Sequence, residues 1–227
     1  SILGFLGGPG PLFGSKALVT AGPTFEPIDP VRFIGNHSSG KMGIALAKAL
    51  QEKGAEVTLV VGPVSQPLDL PGVEVVRVGS AAEMFEACTV RFEHVRIAVM
   101  AAAVADYTPV HVADQKIKKE AGDWSLPLQR TRDILRSLGE RKRAGQLLVG
   151  FALETQDERE NALKKLASKN ADLIVLNSLN DPGAGFGHDT NKVAILDKRG
   201  GVQETGTLSK DEVARVITER IIAEIHE

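Results

Sequence analysis

Short apolar runs of strand length alternate with amphipathic segments of helix length along most of this chain. The sequence predicts strands at residues 16–20, 56–61, 73–78, 95–100, 147–151, 173–176 and 193–197. It predicts helices at residues 39–53, 80–87, from about 131, at 157–169 and at 209–226. Strands that alternate with helices build a parallel sheet with crossover connections. We therefore predict an α/β fold with a mostly parallel sheet.

The first residues do not share this pattern. Residues 1–14 read SILGFLGGPGPLFG, and their Gly and Pro content is incompatible with a regular element. We interpret residues 1–15 as a linker or remnant and residues 16–227 as one domain, because a chain of this size can bury one sizeable core. Residues 181–191, DPGAGFGHDTN, are predicted to form a glycine-rich loop.

Charge and cysteine content exclude several classes of function. The formal net charge of -2 arises from interspersed acids and bases, so no broad cationic surface is expected for nucleic acid or an anionic membrane. No apolar run approaches the roughly 20 residues of a membrane helix. The single cysteine, Cys88, cannot form an internal disulfide, and no CxxC or HxH spacing indicates a zinc site. We expect a cytoplasmic protein without nucleic-acid or membrane partners.

The loops that follow the strands are where a ligand is expected. In open α/β sheets, ligands bind in the crevice beyond the carboxyl ends of the strands. The loops after Thr20, Met100, Phe151 and Leu176 are therefore the candidate positions for a functional site.

One of the loops resembles a phosphate-binding loop without matching it fully. Residues 35–42 read GNHSSGKM, which fits GxxxxGK[ST] except at the last place, where Met42 offers no hydroxyl for a metal ion. The loop also follows a proline-bearing stretch rather than a strand, which argues against a P-loop NTPase. Ser38, Ser39 and Gly40 still open a predicted helix, whose free N–H groups favour an anion. An ordinary serine N-cap explains the same residues equally well.

Two stretches near the middle of the chain carry candidate nucleotide ligands. Residues 101–107, AAAVADY, follow a strand, and Asp106 is placed to bond ribose hydroxyls, although a lone Asp serves about as often as a cap or surface residue. Lys116, Lys118 and Lys119 cluster in a loop. Such a cluster is usually a solvated surface, but it can also neutralise a triphosphate.

A helix face and a strand end supply further candidates. Lys165 and Lys169 lie four residues apart on one predicted helix and project from the same face, where they either meet solvent or hold a phosphate. Phe151 ends a strand and either packs in the core or stacks against a base or ribose. None of these motifs alone establishes a function.

Taken in order, the motifs resemble those of one enzyme family. They are AGPTFEPIDPVRFIGNHSSGKMG at residues 21–43, AAAVADY at 101–107, KIKK at 116–119, TRDIL at 131–135 and GFALET at 150–155. From Ala17 to its end the chain resembles phosphopantothenoylcysteine synthetase, the ligase that joins 4'-phosphopantothenate to L-cysteine in coenzyme A synthesis. The resemblance implies a Rossmann-like α/β domain, a mostly parallel sheet with helices on both faces, that forms a homodimer.

The resemblance also implies the chemistry. In the bacterial branch, CTP with Mg²⁺ converts the substrate carboxylate into an acyl-cytidylate and pyrophosphate, and the cysteine amine then displaces CMP. Activation is needed because a free carboxylate does not accept an amine at neutral pH. A flavin-dependent decarboxylase, fused or associated, is a further partner in this family. A chain of 227 residues has no room for it, so we expect no decarboxylation by this chain.

The resemblance assigns roles to the matching positions. Asn36 would carry the acyl chemistry, and Lys116, the second catalytic candidate, would hold the triphosphate. The expected phosphate and substrate contacts are Gly22, Ser38, Ser39 and Gly40. The other expected nucleotide contacts are Met100, Ala101, Ala102, Asp106, Arg132, Asp133, Ile134, Leu135, Phe151, Lys165 and Lys169. No metal ligand is assigned.

Two alternatives stay open. The first is the ATP-dependent branch of the same family, which shares the fold but acts through an acyl-phosphate. Arg132 stands where many relatives of this family have proline, so the contacts of residues 132–135 to the nucleotide base are also left open. The second alternative is a dinucleotide-dependent reductase, because Rossmann-like sheets serve both functions. The sequence AGPT after the first strand, in place of GxGxxG, argues against it.

Overall fold

The computed structural model describes residues 10–119, 122–154, 156–178 and 190–226, without the side chains of Glu154 and Ser178. The strands are β1 (Lys16–Ala21), β2 (Phe25–Pro27), β3 (Phe33–Gly35), β4 (Glu56–Val61), β5 (Val73–Arg77), β6 (Ile97–Met100), β7 (Tyr107–Pro109), β8 (Leu128–Arg130), β9 (Leu147–Glu154), β10 (Leu173–Ser178), β11 (Thr190–Asn191), β12 (Val193–Asp197), β13 (Val202–Glu204) and β14 (Leu208–Ser209). The helices are α1 (Lys41–Glu52), α2 (Ala81–Phe92), α3 (Ile134–Arg141), α4 (Glu158–Ser168) and α5 (Lys210–His226). The predicted glycine-rich loop lies outside the described residues, apart from its last two positions in β11.

The predicted strands and helices are all present, and the differences lie at their ends. Ser80, the first residue of the helix predicted at 80–87, caps α2 in a capping box with Glu83, and the helix continues to Phe92. Helix α3 begins at Ile134 rather than near residue 131, because the Asp133 side chain accepts the N–H of Arg136 at 2.9 Å and so fixes the N-cap.

Eight strands form the central sheet in the order β13-β12-β10-β9-β6-β1-β4-β5. The strands from β5 to β10 in this order pair in parallel, while β12 and β13 add an antiparallel edge. Numbered along the chain, the six parallel strands have the order 3-2-1-4-5-6 of the doubly wound dinucleotide-binding fold. This order reverses between β1 and β6, so the crevice for a ligand is expected there. The predicted fold class is confirmed.

Helices cover both faces of this sheet. Buried residues of α1 and α5, such as Leu46, Leu50 and Ile217, share one core with the sheet. Residues of α2, α3 and α4 form the other core, which includes the fully buried Cys88. Burial raises the pKa of the Cys88 thiol to about 12, so this cysteine is an unreactive packing residue. None of the described helices is both long and apolar enough to span a bilayer.

The residues just before β1 pack against the domain. Leu12 is fully buried in the core beneath α1, and its N–H donates to the carbonyl of Lys53 at 3.0 Å. Residues 10–15 are thus in contact with the sheet and α1, while the predicted domain boundary after residue 15 stays a prediction.

Gly43 sets how closely the first turn of α1 approaches β1. A Cβ at this position would lie 2.6 Å from the carbonyl oxygen of Thr20 and 2.6 Å from the Cβ of Ala21. Contacts this short do not occur in folded proteins, so any side chain here has to displace the helix from the end of the strand.

We therefore expect Gly43→Ala to lower the free energy of unfolding by about 1–3 kcal/mol, as overpacking of a core typically does. Thermal unfolding followed by circular dichroism measures the change. Gly206→Ala is the matched control, since a Cβ at Gly206 meets nothing within 4 Å. Equal midpoints for the two variants would show that α1 and β1 are not packed as described.

Candidate functional site

Two adjoining cavities lie where the sheet order reverses, beyond the carboxyl ends of the parallel strands. The first has a volume of about 590 Å³ and the second of about 570 Å³. They share the lining residues Ala102, Val104, Asp106, Phe151 and Lys165. Their size is typical of sites for small-molecule ligands.

Most of the residues predicted from the sequence line these cavities. In the first cavity they are Met100, Ala102, Asp106, Arg132, Asp133, Ile134, Leu135, Phe151, Lys165 and Lys169. In the second they are Asn36, Ser38, Ser39, Gly40, Ala101, Ala102, Asp106, Phe151 and Lys165. Two predicted residues line neither cavity: Gly22 lies behind Gly40, and Lys116 lies in an exposed loop. Their predicted roles stay predictions.

The wall between the cavities is the loop that follows β6, and buried threonines hold it. Thr20 Oγ1 accepts the N–H of Ala102 at 3.1 Å, and Thr24 Oγ1 accepts the N–H of Ala105 at 2.9 Å. The N–H of Ala103 donates to the carbonyl of Gly22 at 2.9 Å. These bonds join the loops after β1 and β6 at the reversal point. Sequence reasoning missed both threonines, although a polar residue at the end of an apolar strand is a usable signal.

Asn36 lies next to this loop, directly after β3. Its Nδ2 donates to the carbonyl of Val104 at 2.9 Å and to that of Ala103 at 3.5 Å. The second distance is at the limit of a hydrogen bond, so this weaker interaction is the one that a ligand oxygen can replace. The structure therefore holds the Asn36 amide at the edge of the second cavity.

The N-terminus of α1 opens into the second cavity, and the serine N-cap considered for it is wrong. The N-cap is Gly40, in the left-handed conformation with φ 74°, and no side chain of a described residue caps the helix. Ser38 Oγ instead accepts the N–H of Gly40 at 3.3 Å. The N-terminus of α1 thus lies at the cavity without a capping side chain from the described residues, and a helix N-terminus favours an anion.

Lys165 of α4 and Lys169, the C-cap of that helix, both line the first cavity. Lys169 Nζ is 2.6 Å from Asp133 Oδ2, and Lys165 Nζ donates to the carbonyl of Phe151 at 2.8 Å. Partial burial acts to raise the pKa of Asp133, but the hydrogen bonds from Lys169 and from the N–H of Arg136, with the nearby lysine charges, hold it below its ordinary value. The cavity therefore holds a charged carboxylate and two ammonium groups.

Arg132 marks the rim of the first cavity. Its guanidinium lies over the ring of Phe85 at 4.4 Å and is 3.9 Å from Glu86 Oε1, both on α2. Its side chain is thus directed to the neighbouring helix, while residues 132–135 form the start of α3 at the cavity wall.

The loop that carries Lys116 is fixed by an ion pair that sequence reasoning missed. The buried Asp29 accepts the N–H of Ile117 at 3.1 Å, and Arg32 donates to the carbonyl of Ile117 at 2.9 Å. The hydrogen bond from Arg32 holds the pKa of Asp29 well below its ordinary value, despite burial. Both main-chain groups of Ile117 are therefore bound, and the flanking Lys116 and Lys118 are exposed.

The second cavity also contains polar residues that were not predicted, among them Asn177, Asn191 and Lys210. Asn177 follows the buried part of β10, whose carboxyl end was a candidate position, so that signal could have found it. Lys210 begins α5, and nothing local in the sequence places that helix beside the cavity. Among the described residues, no group of three His, Cys, Asp or Glu side chains is arranged to hold a metal ion.

Known proteins share this sequence and fold. The chain is 53% identical over 216 residues to a cysteine/cysteine sulfinic acid decarboxylase of an unknown prokaryotic organism, covering 95% of this chain and 60% of that protein. It is 51% identical to the coenzyme A biosynthesis bifunctional protein CoaBC of Bacillus subtilis, covering 94% of this chain and 52% of the relative. The chain thus spans little more than half the length of these relatives.

A solved structure and a family description agree with these matches. The crystal structure of the C-terminal domain of coenzyme A biosynthesis bifunctional protein CoaBC has a TM-score of 0.82 at 42% identity, covering 96% of this chain and 98% of that domain. Residues 12–225 match the family described as DFP, the DNA/pantothenate metabolism flavoprotein C-terminal domain. The resemblance predicted from the sequence is confirmed, and the chain belongs to this family.

Proposed function

We propose that this chain is a phosphopantothenate–cysteine ligase that joins 4'-phosphopantothenate to L-cysteine through an acyl-cytidylate formed from CTP. The observation that carries the proposal is the pair of adjoining cavities at the reversal point of the sheet, which share Asp106, Phe151 and Lys165. Two cavities that share a wall can hold a nucleotide and an acid with their reacting groups close together. The names of the family and of the CoaBC relatives support a role in coenzyme A synthesis.

The first cavity suits the nucleotide. Asp106 is available for ribose hydroxyls, Phe151 offers a ring for stacking, and the start of α3 offers main-chain groups to the base. Lys165 and Lys169 are positioned to exchange their present protein partners for phosphate oxygens. We propose that Mg²⁺ enters with the triphosphate, since this ion is usually bound by substrate phosphates and only one or two carboxylates.

The second cavity suits the acid that is activated. The N-terminus of α1 and Ser38, which line this cavity, favour an anionic group. A carboxylate oxygen of the acid attacks the α-phosphorus of CTP, and the bond to pyrophosphate breaks. The cysteine amine then attacks the carbonyl carbon, loses a proton and expels CMP. Asn36 is placed to donate to the carbonyl oxygen on which negative charge develops.

A surface of exposed apolar side chains supports a second copy of this chain as a partner. Exposed apolar side chains gather on the two-stranded ribbons β2–β3 and β7–β8 and the loops beside them, namely Val31, Phe33, Tyr107, Val110, Val112, Trp124 and Leu128. An apolar surface of this kind marks a protein interface. We propose a homodimer through these ribbons, which light scattering in solution would test, and a flavin-dependent decarboxylase as the fused or associated partner.

We expect turnover of 4'-phosphopantothenate and cysteine to depend on CTP and to release CMP and pyrophosphate. Identifying the nucleotide products by chromatography measures this directly. ATP in place of CTP is the control. If ADP and phosphate are the products, the intermediate is an acyl-phosphate and not an acyl-cytidylate. If no amide forms with either nucleotide, the proposed function is wrong.

The proposed contact of the exposed Lys116 with the triphosphate predicts that Lys116→Gln loses about two orders of magnitude or more in turnover, since such a charge contributes several kcal/mol. The matched control is Lys118→Gln, in the same loop on the other side of the anchored Ile117, and its loss should be far smaller. Similar losses of turnover in both variants would show that the loop acts only as a nonspecific basic surface.

Asn36→Asp should uncouple the two half-reactions. A carboxylate cannot donate to the acyl oxygen and repels its developing charge, and losing one such donor typically costs about 2.7–4 kcal/mol, or roughly a hundred- to a thousandfold in rate. Pyrophosphate release from CTP should continue while amide formation falls, so that the intermediate accumulates. Measuring both in parallel tests this. An equal fall of both rates in a correctly folded variant would show that the role of Asn36 is only to hold the turn before α1.

A further inference from the structure

The second cavity contains two asparagines that the reaction described above does not use. Asn177 lies near the carboxyl end of β10 and Asn191 in β11, and both line the cavity. Asn191 is only 3% exposed. Because a buried amide has to satisfy its polar atoms within the protein, its surroundings define which way it faces.

A main-chain N–H orients Asn191. The N–H of Lys192 donates to Asn191 Oδ1 at 3.1 Å. Since a main-chain N–H can only donate, the oxygen of this amide has to lie on that side. The nitrogen is then the opposite end, and it donates to Asn177 Oδ1 at 3.0 Å.

The same interaction orients Asn177. Its oxygen accepts from Asn191, and its nitrogen has no hydrogen-bond acceptor within the part of the chain that the structure describes. The same cavity is lined by the N-terminus of α1 and by Lys165 and Lys210, which are donors and cations, and by one carboxylate, Asp106. An amide that presents N–H groups fits this set and favours a phosphate oxygen, whereas one that presents oxygen would repel it.

We propose that Asn191 is a positioning residue that holds Asn177 with its N–H groups toward the cavity, so that Asn177 donates to a phosphate oxygen of the ligand. The inference rests on the proposed function, which brings two phosphate-bearing substrates to these cavities. The phosphate belongs either to the triphosphate of CTP or to the 4'-phosphate of phosphopantothenate. The recognition is the same for both: a fixed amide donor meets an anionic oxygen.

Exchanging Asn191 for Asp tests the orientation. The new carboxylate still accepts the N–H of Lys192 but cannot donate to Asn177, which then turns its nitrogen toward the carboxylate and its oxygen toward the ligand. CTP and 4'-phosphopantothenate are titrated separately by calorimetry. We expect the affinity for one of them to fall by about 10- to 100-fold, as for a lost hydrogen bond to a charged group, and that ligand is the source of the phosphate. Unchanged affinity for both overturns the inference.

A double-mutant cycle separates the orientation of Asn177 from the added charge. In an Asn177→Ala background there is no amide at position 177 to turn. Asn191→Asp should then lower the affinity for the ligand by at most about 2-fold, which is the usual deviation from additivity for independent sites. An equal loss in both backgrounds means that Asn191 acts by charge or by general structure, which overturns the inference.

Asn191→Ala provides a variant without added charge, should the carboxylate disturb the fold. The double Ala variant should bind as tightly as Asn177→Ala alone, because both substitutions remove the same held donor. If the losses in affinity are additive, the inference is wrong. If the unmodified chain still binds both substrates in that case, the proposed function stands. If the unmodified chain binds neither CTP, ATP nor 4'-phosphopantothenate, the proposed function and the inference both fail.

Discussion

The hydrogen bonds between the loops after β1 and β6 are the constraint on which the rest of the site depends. At this point the strand order reverses, and the segments after β1 and β6 lead to helices on opposite faces of the sheet. The hydroxyls of Thr20 and Thr24 accept main-chain N–H groups of the opposite loop, and Gly22 and Ala103 add a main-chain bond. The loop held in this way forms the wall that both cavities share, and it also receives the amide of Asn36.

The features of this structure that favour an anion are several modest ones rather than one strong cluster. The formal net charge is -2, yet the second cavity collects a helix N-terminus, serine hydroxyls and lysine side chains at one edge of the sheet. In the first cavity, Asp133 engages Lys169 and so keeps that ammonium group in place in the absence of substrate. A phosphate bound here as proposed would have to compete with a carboxylate and a carbonyl, which would lower affinity but select for ligands with several anionic oxygens.

Much of the fold and part of the site were predictable from the sequence because they follow local periodicity. Buried strands alternating with helices predict the parallel sheet, and the rule for carboxyl ends predicts where the cavities lie. The ribbons β2–β3 and β7–β8 were not predicted, because strands of three residues are too short to show a period. Lys210 was missed for a different reason: it lines the second cavity only because α5 packs against α1 and the sheet, which is a tertiary arrangement. The serine cap considered for α1 was wrong because the Ser38 side chain accepts the N–H of Gly40 within its own loop, and Gly40 is the cap.

The clamp made by Asp29 and Arg32 has a consequence for which residues the basic loop can contain. Both side chains bind the main chain of Ile117, its N–H and its carbonyl, and leave its side chain out of the interaction. Any residue with a main-chain N–H can occupy that position, and proline alone is excluded. Inserting or deleting a single residue is different, because it would place another peptide in the clamp and carry both lysines out of register. The residue type at position 117 is therefore free to vary, while the length of the loop is fixed.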